Sequence, residues 1–218
     1  MRCFYDAYER RSGSSFWEAR RASDNASVTR RALTAVVAAR LYEQRRIVLY
    51  SCAGALVVGL LQPQGAAGPV FFCSLLGIVM ALAQTPGRYR HLDRCEQSAP
   101  LFGRELARAK ALVPCIAAVF ATMVYIAAAL VRGTTDAPLT LLVSLAAVIP
   151  STLIALSATI RSGSPRALYL LLAAAASGIA YALAIVIHSL WAELAFCGIA
   201  SFLALRQYGE ALARFDPI

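Results

Sequence analysis

Six long apolar runs constrain this chain more than any other feature: Ile47–Leu61, Pro69–Ala83, Ala111–Val131, Pro138–Ile160, Ala167–Ile187 and Ser189–Leu205. A helix needs about 20 residues to cross a hydrocarbon layer ~30 Å thick. The third, fourth and fifth runs reach that length. The first two are shorter, and either draw in flanking residues such as Gln62 and Gln84 or form a hairpin that thins the bilayer locally. With 59% apolar and 15% charged residues, a chain of 218 residues has too little polar surface to cover a water-soluble globule. The bilayer is therefore its expected solvent. Disorder, a secreted disulfide scaffold and most soluble enzyme classes are excluded together.

The formal net charge of +9 would suit a nucleic-acid binder, but the positions of the basic residues argue against one. Ten of the 21 lie in residues 1–46 and six between Thr85 and Lys110. With both termini in the cytoplasm and strict alternation of six spans, twenty basic residues fall on the inner side and only Arg132 on the outer. Such a bias predicts an all-α polytopic membrane protein of six helices with cytoplasmic termini, set in a bacterial cytoplasmic membrane. The bacterial source is suggested by the abundance of Ala and by Arg in twenty of the 21 basic positions. Three parts follow: a cytoplasmic segment over 1–46, a six-helix membrane domain over 47–205 with an inner loop at 85–110, and a cytoplasmic tail over 206–218.

Residues 1–46 lack the apolar core of a signal peptide and mix five acids with ten arginines. Within them, Ser27–Arg46 reads as an amphipathic helix on the inner membrane surface, with Leu33, Val36, Val37 and Leu41 on one face and Arg30, Arg31, Arg40 and Arg45 elsewhere around it. Pro63, Gly65, Gly68 and Pro69 punctuate the first outer turn, and Gly133, Asp136 and Pro138 the second. His188 to Glu193 has room only for a tight turn, where the two residues either form a small polar site or, the favoured reading, sit at the outer interface.

Chemistry finds little to work with. The cysteines (Cys3, Cys52, Cys73, Cys95, Cys115 and Cys197) fall in spans or cytosolic segments without a C-x-x-C, which reads as packing rather than disulfides or zinc. His91 and Cys95 share a helical spacing, but two ligands do not make a metal site. Gly163-Ser164 has no facing histidine, Asp93 and Asp136 fall on opposite sides, and no P-loop occurs. No catalytic residue, cofactor or metal is assigned. The span interiors are read as free of ionisable groups, which leaves Tyr125, Ser151, Thr152, Ser177 and Tyr181, together with Ser144 and Ser157, as the polar side chains that could line a path. Pro150 is expected to free a carbonyl and bend the fourth span. A transporter of this kind would draw its energy from outside the membrane.

The inner loop suggests from where. Ser98 is a fitting N-cap and Pro100 suits a first turn, so a helix is predicted to start here and run toward the third span. Phe102, Leu106, Ala109 and Val113 form an apolar stripe with Arg104, Glu105 and Arg108 beside it. A cytosolic amphipathic helix, six spans and an inner loop reading Glu96-x3-Pro100-Leu101-x2-Arg104-Glu105-Leu106-x3-Lys110 resemble the permeases of type-2 ABC exporters. The topological likeness covers residues 27–218 and the motif about fifteen residues. Gln97-Ser98 stands where that family often has Gly-Thr, and the turn before Glu193 has no room for its outer re-entrant helices. The resemblance implies a separate ATP-binding subunit docked on Glu96, Pro100, Phe102, Arg104, Glu105 and Arg108, and a second permease, identical or similar, completing the path. A non-transporting anchor or assembly subunit of a larger membrane complex is the alternative. An integral-membrane enzyme is disfavoured by the lack of a catalytic constellation.

Overall fold

The computed structural model describes residues 14–61, 68–84, 103–132, 138–160 and 164–214, with side chains over 34–61, 68–84, 107–132, 141–160 and 165–212. Among them every element is helical: α1 (Ser14–Leu61), α2 (Gly68–Leu82), α3 (Gly103–Val131), α4 (Pro138–Thr159), α5 (Ser164–Tyr181) continued by a π-helical turn (Ala182–Val186), and α6 (Leu190–Arg214). Four segments are long and apolar enough to cross a membrane: Thr34–Leu61, Ala107–Val131, Leu141–Thr159 and Pro165–Val186. The α2 helix is as apolar but has only 15 residues, about 22 Å of rise. The outward faces carry Leu49, Leu56, Phe120, Leu130, Leu171, Ile199 and Phe202, all exposed, as expected where lipid is the solvent.

The buried clusters show how the helices run. At one end, called the base here, Ala81, Ala107, Ala111, Ala155, Leu156, Ala173, Ala204 and Tyr208 meet. At the other end, the apex, Val70, Val143, Ala147, Ala180, Ala184 and Cys197 meet. Thus α2, α4 and α6 run from apex to base, and α3 and α5 run the opposite way. The α1 helix follows α3, since Ala55 packs with Ala121 and Tyr125, and Gly59 lies against Ala128. Direction therefore reverses at every connection, the pattern that alternating passes through a bilayer require.

Small residues set the helix spacing. A methyl group on Gly59 would come within 2.8 Å of both the Ala128 Cβ and the Tyr125 carbonyl, so α1 and α3 touch backbone to backbone. A methyl on Gly77 of α2 would run into the Thr152 hydroxyl of α4. Without a hydrophobic drive between helices in lipid, such close approach supplies dispersion contacts that larger side chains would prevent. The α4 helix occupies the middle, buried by α2, α3, α5 and α6. It runs unbroken past the fully buried Pro150, and α3 does the same past Pro114.

Two details depart from the sequence reading. The expected surface helix Ser27–Arg46 forms the middle of α1, a single helix of 48 residues, about 72 Å long, that leads straight into the first apolar run. The cause is local: no Gly or Pro occurs between Ser27 and Gly54, so nothing ends the helix at Arg46. The turn before the last helix is also shorter than expected. His188, with a left-handed φ of 55°, closes the π turn, and α6 has begun by Leu190, with the Ser189 side chain accepting the Ala192 N–H at 3.3 Å. Glu193 thus belongs to a helix, not to a turn.

Candidate functional site

At the base, three polar side chains join helices far apart in the chain. Arg40 and Gln44 stand one turn apart on α1 and so share a face, which meets Gln84 just beyond the end of α2. The Arg40 Nη1 donates to Gln84 Oε1 at 3.1 Å, and Gln84 Nε2 donates to Gln44 Oε1 at 2.8 Å. Arg40, Gln44 and Gln84 are 3%, 1% and 6% exposed. Hydrogen bonds to a charged donor are about twice as strong as neutral ones, so the pair of bonds forms a clamp between α1 and α2. The sequence pattern sets Arg40 outside the apolar face of the expected surface helix. It is buried because α1 stands against the bundle instead of lying beside it. The i, i+4 spacing of Arg40 and Gln44 was readable, but their partner lies 40 residues or more away.

Gln84 is the last described residue before the segment expected to form the inner loop, and Gly103 opens α3 after it. Of the residues expected to dock a partner, Glu96, Pro100 and Phe102 lie outside the described residues. Arg104 and Glu105 are in the first turn of α3, with no side-chain position described, and Arg108 is exposed one turn later. Ala107, Ala109 and Val113 are buried, so the expected apolar stripe faces the bundle at Ala109 and Val113. The helix continues without interruption to Val131.

The five candidate path residues are spread over α3, α4 and α5, and Tyr125, Ser151, Thr152 and Ser177 are buried. Tyr125 is buried with its ring 5.2 Å from that of Phe72. Thr152 donates to the Val148 carbonyl and Ser177 to the Ala174 carbonyl, each at 2.6 Å, so these hydroxyls are satisfied within their own helices. Ser151 is fully buried with no partner for its hydroxyl among the described residues, and Tyr181 is half-buried at the apex. In this conformation they are packed between helices.

The apex holds a residue that the sequence reading assigned to the interface. Glu193 has no exposed surface. Its Oε1 faces the Cys197 Sγ at 3.9 Å, at the limit for a weak thiol donor, and its Oε2 has no partner among the described residues. The reading that the span interiors lack ionisable groups is therefore corrected. Glu193 and Cys197 are one helical turn apart, and once α6 starts at Leu190 the packing of Cys197 carries Glu193 inward with it. The signal available in the sequence was Ser189 as an N-cap, which would have placed Glu193 inside the helix. Cys73 and Cys197 are buried, Cys52 and Cys115 partly so, and His91, Cys3 and Cys95 lie outside the described residues. Among the described residues no three His, Cys, Asp or Glu side chains stand close enough to hold a metal ion.

No protein-family model, curated protein or solved structure matches this chain. The likeness to exporter permeases rests on residues 96–110 and on topology alone.

Proposed function

We propose that this chain is the membrane-embedded permease subunit of an ATP-driven exporter, crossing the bilayer six times with both termini and the base of the bundle in the cytoplasm. In this reading a separate ATPase docks on the inner loop, and a second permease, identical or similar, completes the path. One observation carries it: both ends of the inner loop are tied rigidly to the bundle. The loop leaves from Gln84, held by Arg40 and Gln44, and re-enters through a helix that continues into the third span. Force applied to the loop is then delivered to α3 relative to α1 and α2. A helix that ended at the membrane surface would lose it. Because a ligand shifts an equilibrium only through differential contacts, the ATPase must hold the loop differently in its two nucleotide states.

The second reading, a non-transporting anchor or assembly subunit, draws on the dense packing of the candidate path residues and on the long basic arm formed by the N-terminal half of α1. A single substitution separates the two. Phe102→Ala removes an aromatic knob that at an interface hot spot contributes ~2 kcal/mol or more, about a thirtyfold change in affinity. The measurement is copurification of a co-expressed ATPase together with transport-coupled ATP hydrolysis, normalised to inserted protein. Loss of both is the expected result. Wild-type values for both, in a chain that inserts normally, remove the exporter reading and leave the anchor.

A further inference from the structure

We infer that Glu193 is a proton-binding site buried at the apex of the bundle, occupied by a proton in the packed state and emptied only when the apex opens. The surroundings of the carboxyl show why. It is wholly buried, one oxygen has a thiol for company and the other has nothing among the described residues. The cluster around its helical neighbour Cys197 consists of Val70, Val143, Ala147, Ala180 and Ala184, with Ala146, Tyr181, Ile185 and Phe196 at its edge. Burying an ionised carboxylate in such surroundings costs several kcal/mol, and only a paired charge or several hydrogen bonds offset it.

Neither is at hand. The elements packed on α6 are α3, α4, α5 and the π turn, and α2 joins its apical cluster through Val70, while the titratable group of α2, Cys73, packs instead with Ala121 and Tyr125. Between Leu141 and Thr159 the α4 helix has no titratable side chain, and the π turn has none. On α5, Arg166 is exposed near the base, and Tyr169 bonds to Gln207 in the basal half of α6. On α3, Arg108 and Lys110 are near the base, Cys115 packs with the basal cluster, Tyr125 lies on Phe72, and Arg132 is exposed beyond the helix end. His188 is exposed, which leaves Tyr181 and Cys197 as the titratable groups in the cluster, and neither supplies a positive charge. A metal ion in place of the proton would need further oxygen, nitrogen or sulfur ligands, and no such group of side chains exists among the described residues. A proton needs only the carboxyl itself. Its release requires water at Glu193, and hence separation of the π turn and the apical ends of α4 and α6. Proton exchange and opening of the apex are thereby one event. This inference does not depend on the exporter reading, because it concerns the carboxyl and not the docking of a partner.

The test uses the full chain in membranes and a lipid-soluble carbodiimide, which reacts only with carboxylic acids in their protonated form. The acid O–H adds across one C=N bond, the oxygen bonding to carbon and the proton passing to nitrogen, and an acyl shift to nitrogen fixes the adduct without a leaving group. At neutral pH the expected result is a mass adduct on the peptide containing residue 193, lost in Glu193→Gln, while in mild acid a water-soluble carbodiimide with an amine marks the exposed Glu43 and Glu210 and spares Glu193. A second measurement needs no reagent: the infrared spectrum should contain a carboxylic C=O band at neutral pH that Glu193→Gln removes. An unmodified residue 193 beside labelled surface carboxyls, or an infrared difference containing only carboxylate bands, overturns the inference. Both readouts stand whether or not an ATPase copurifies, so failure here and failure of the exporter reading are distinguishable.

Discussion

The base of the bundle buries an arginine and the apex buries a glutamate, and the two are treated differently by their surroundings. Arg40 is given an acceptor from another helix, and that acceptor is itself oriented by Gln44. Glu193 is given a weak thiol contact from Cys197, which itself packs in the apolar apical cluster. The chemistry of the two groups explains the contrast. A guanidinium cannot shed its charge near neutral pH, so a buried one must be hydrogen-bonded or it unfolds the site. A carboxyl can accept a proton and become neutral, so it can be buried with few partners. The base is built to hold still, and the apex is built around a group that can change state.

Three substitutions test that contrast, from the largest effect to the smallest. Gly77→Val strikes the α2–α4 contact between the two ends, where even a methyl would collide with Thr152. Overpacking of this kind costs 1–3 kcal/mol or more, so both ends should fail together, with loss of monodisperse protein in detergent or a much lower thermal midpoint. A chain that keeps its midpoint would mean that the helix spacing is softer than the close approach implies. Gln84→Leu leaves Arg40 without its Gln84 acceptor while preserving size. The expected loss is about 2–3 kcal/mol, read as a lower unfolding midpoint, since hydrogen bonds to charged groups contribute ~1.5–3 kcal/mol. Glu193→Leu should act in the opposite direction. It replaces an unpartnered carboxyl by an apolar group of similar volume and should leave stability unchanged or raise it by about 1 kcal/mol. If the apical substitution destabilises as strongly as the basal one, the two ends are built alike and Glu193 has partners of comparable worth. If it stabilises, the glutamate is retained at a cost, which is the signature of function in preference to packing.

Much of this architecture was legible before any coordinates. Each of the six apolar runs falls on a helix, the third, fourth and fifth on segments of membrane length, whereas the first reaches that length only because α1 extends back past Ile47; the apolar stripe at Ala109 and Val113 faces inward as its period required, and Pro138 opens α4. These are properties of neighbouring residues, and a helix closes its own hydrogen bonds within a few positions. What could not be read was who faces whom. Whether Arg40 lies on a surface or in a clamp depends on Gln84, 44 positions away.

The sequence by itself determined the solvent, the helical class and most of the places where helices begin and end, because hydrophobicity and helix periodicity act over one or two turns. Only the tertiary structure decided that Gly77 is a contact point, that the hydroxyls of Thr152 and Ser177 face packed helices, and that Glu193 is sealed inside the apex. Burial of a polar group is not a property of that group. It is fixed by which other helices close over it, and in lipid that choice is made by the fit of small side chains, which leave no charge pattern or period in the sequence.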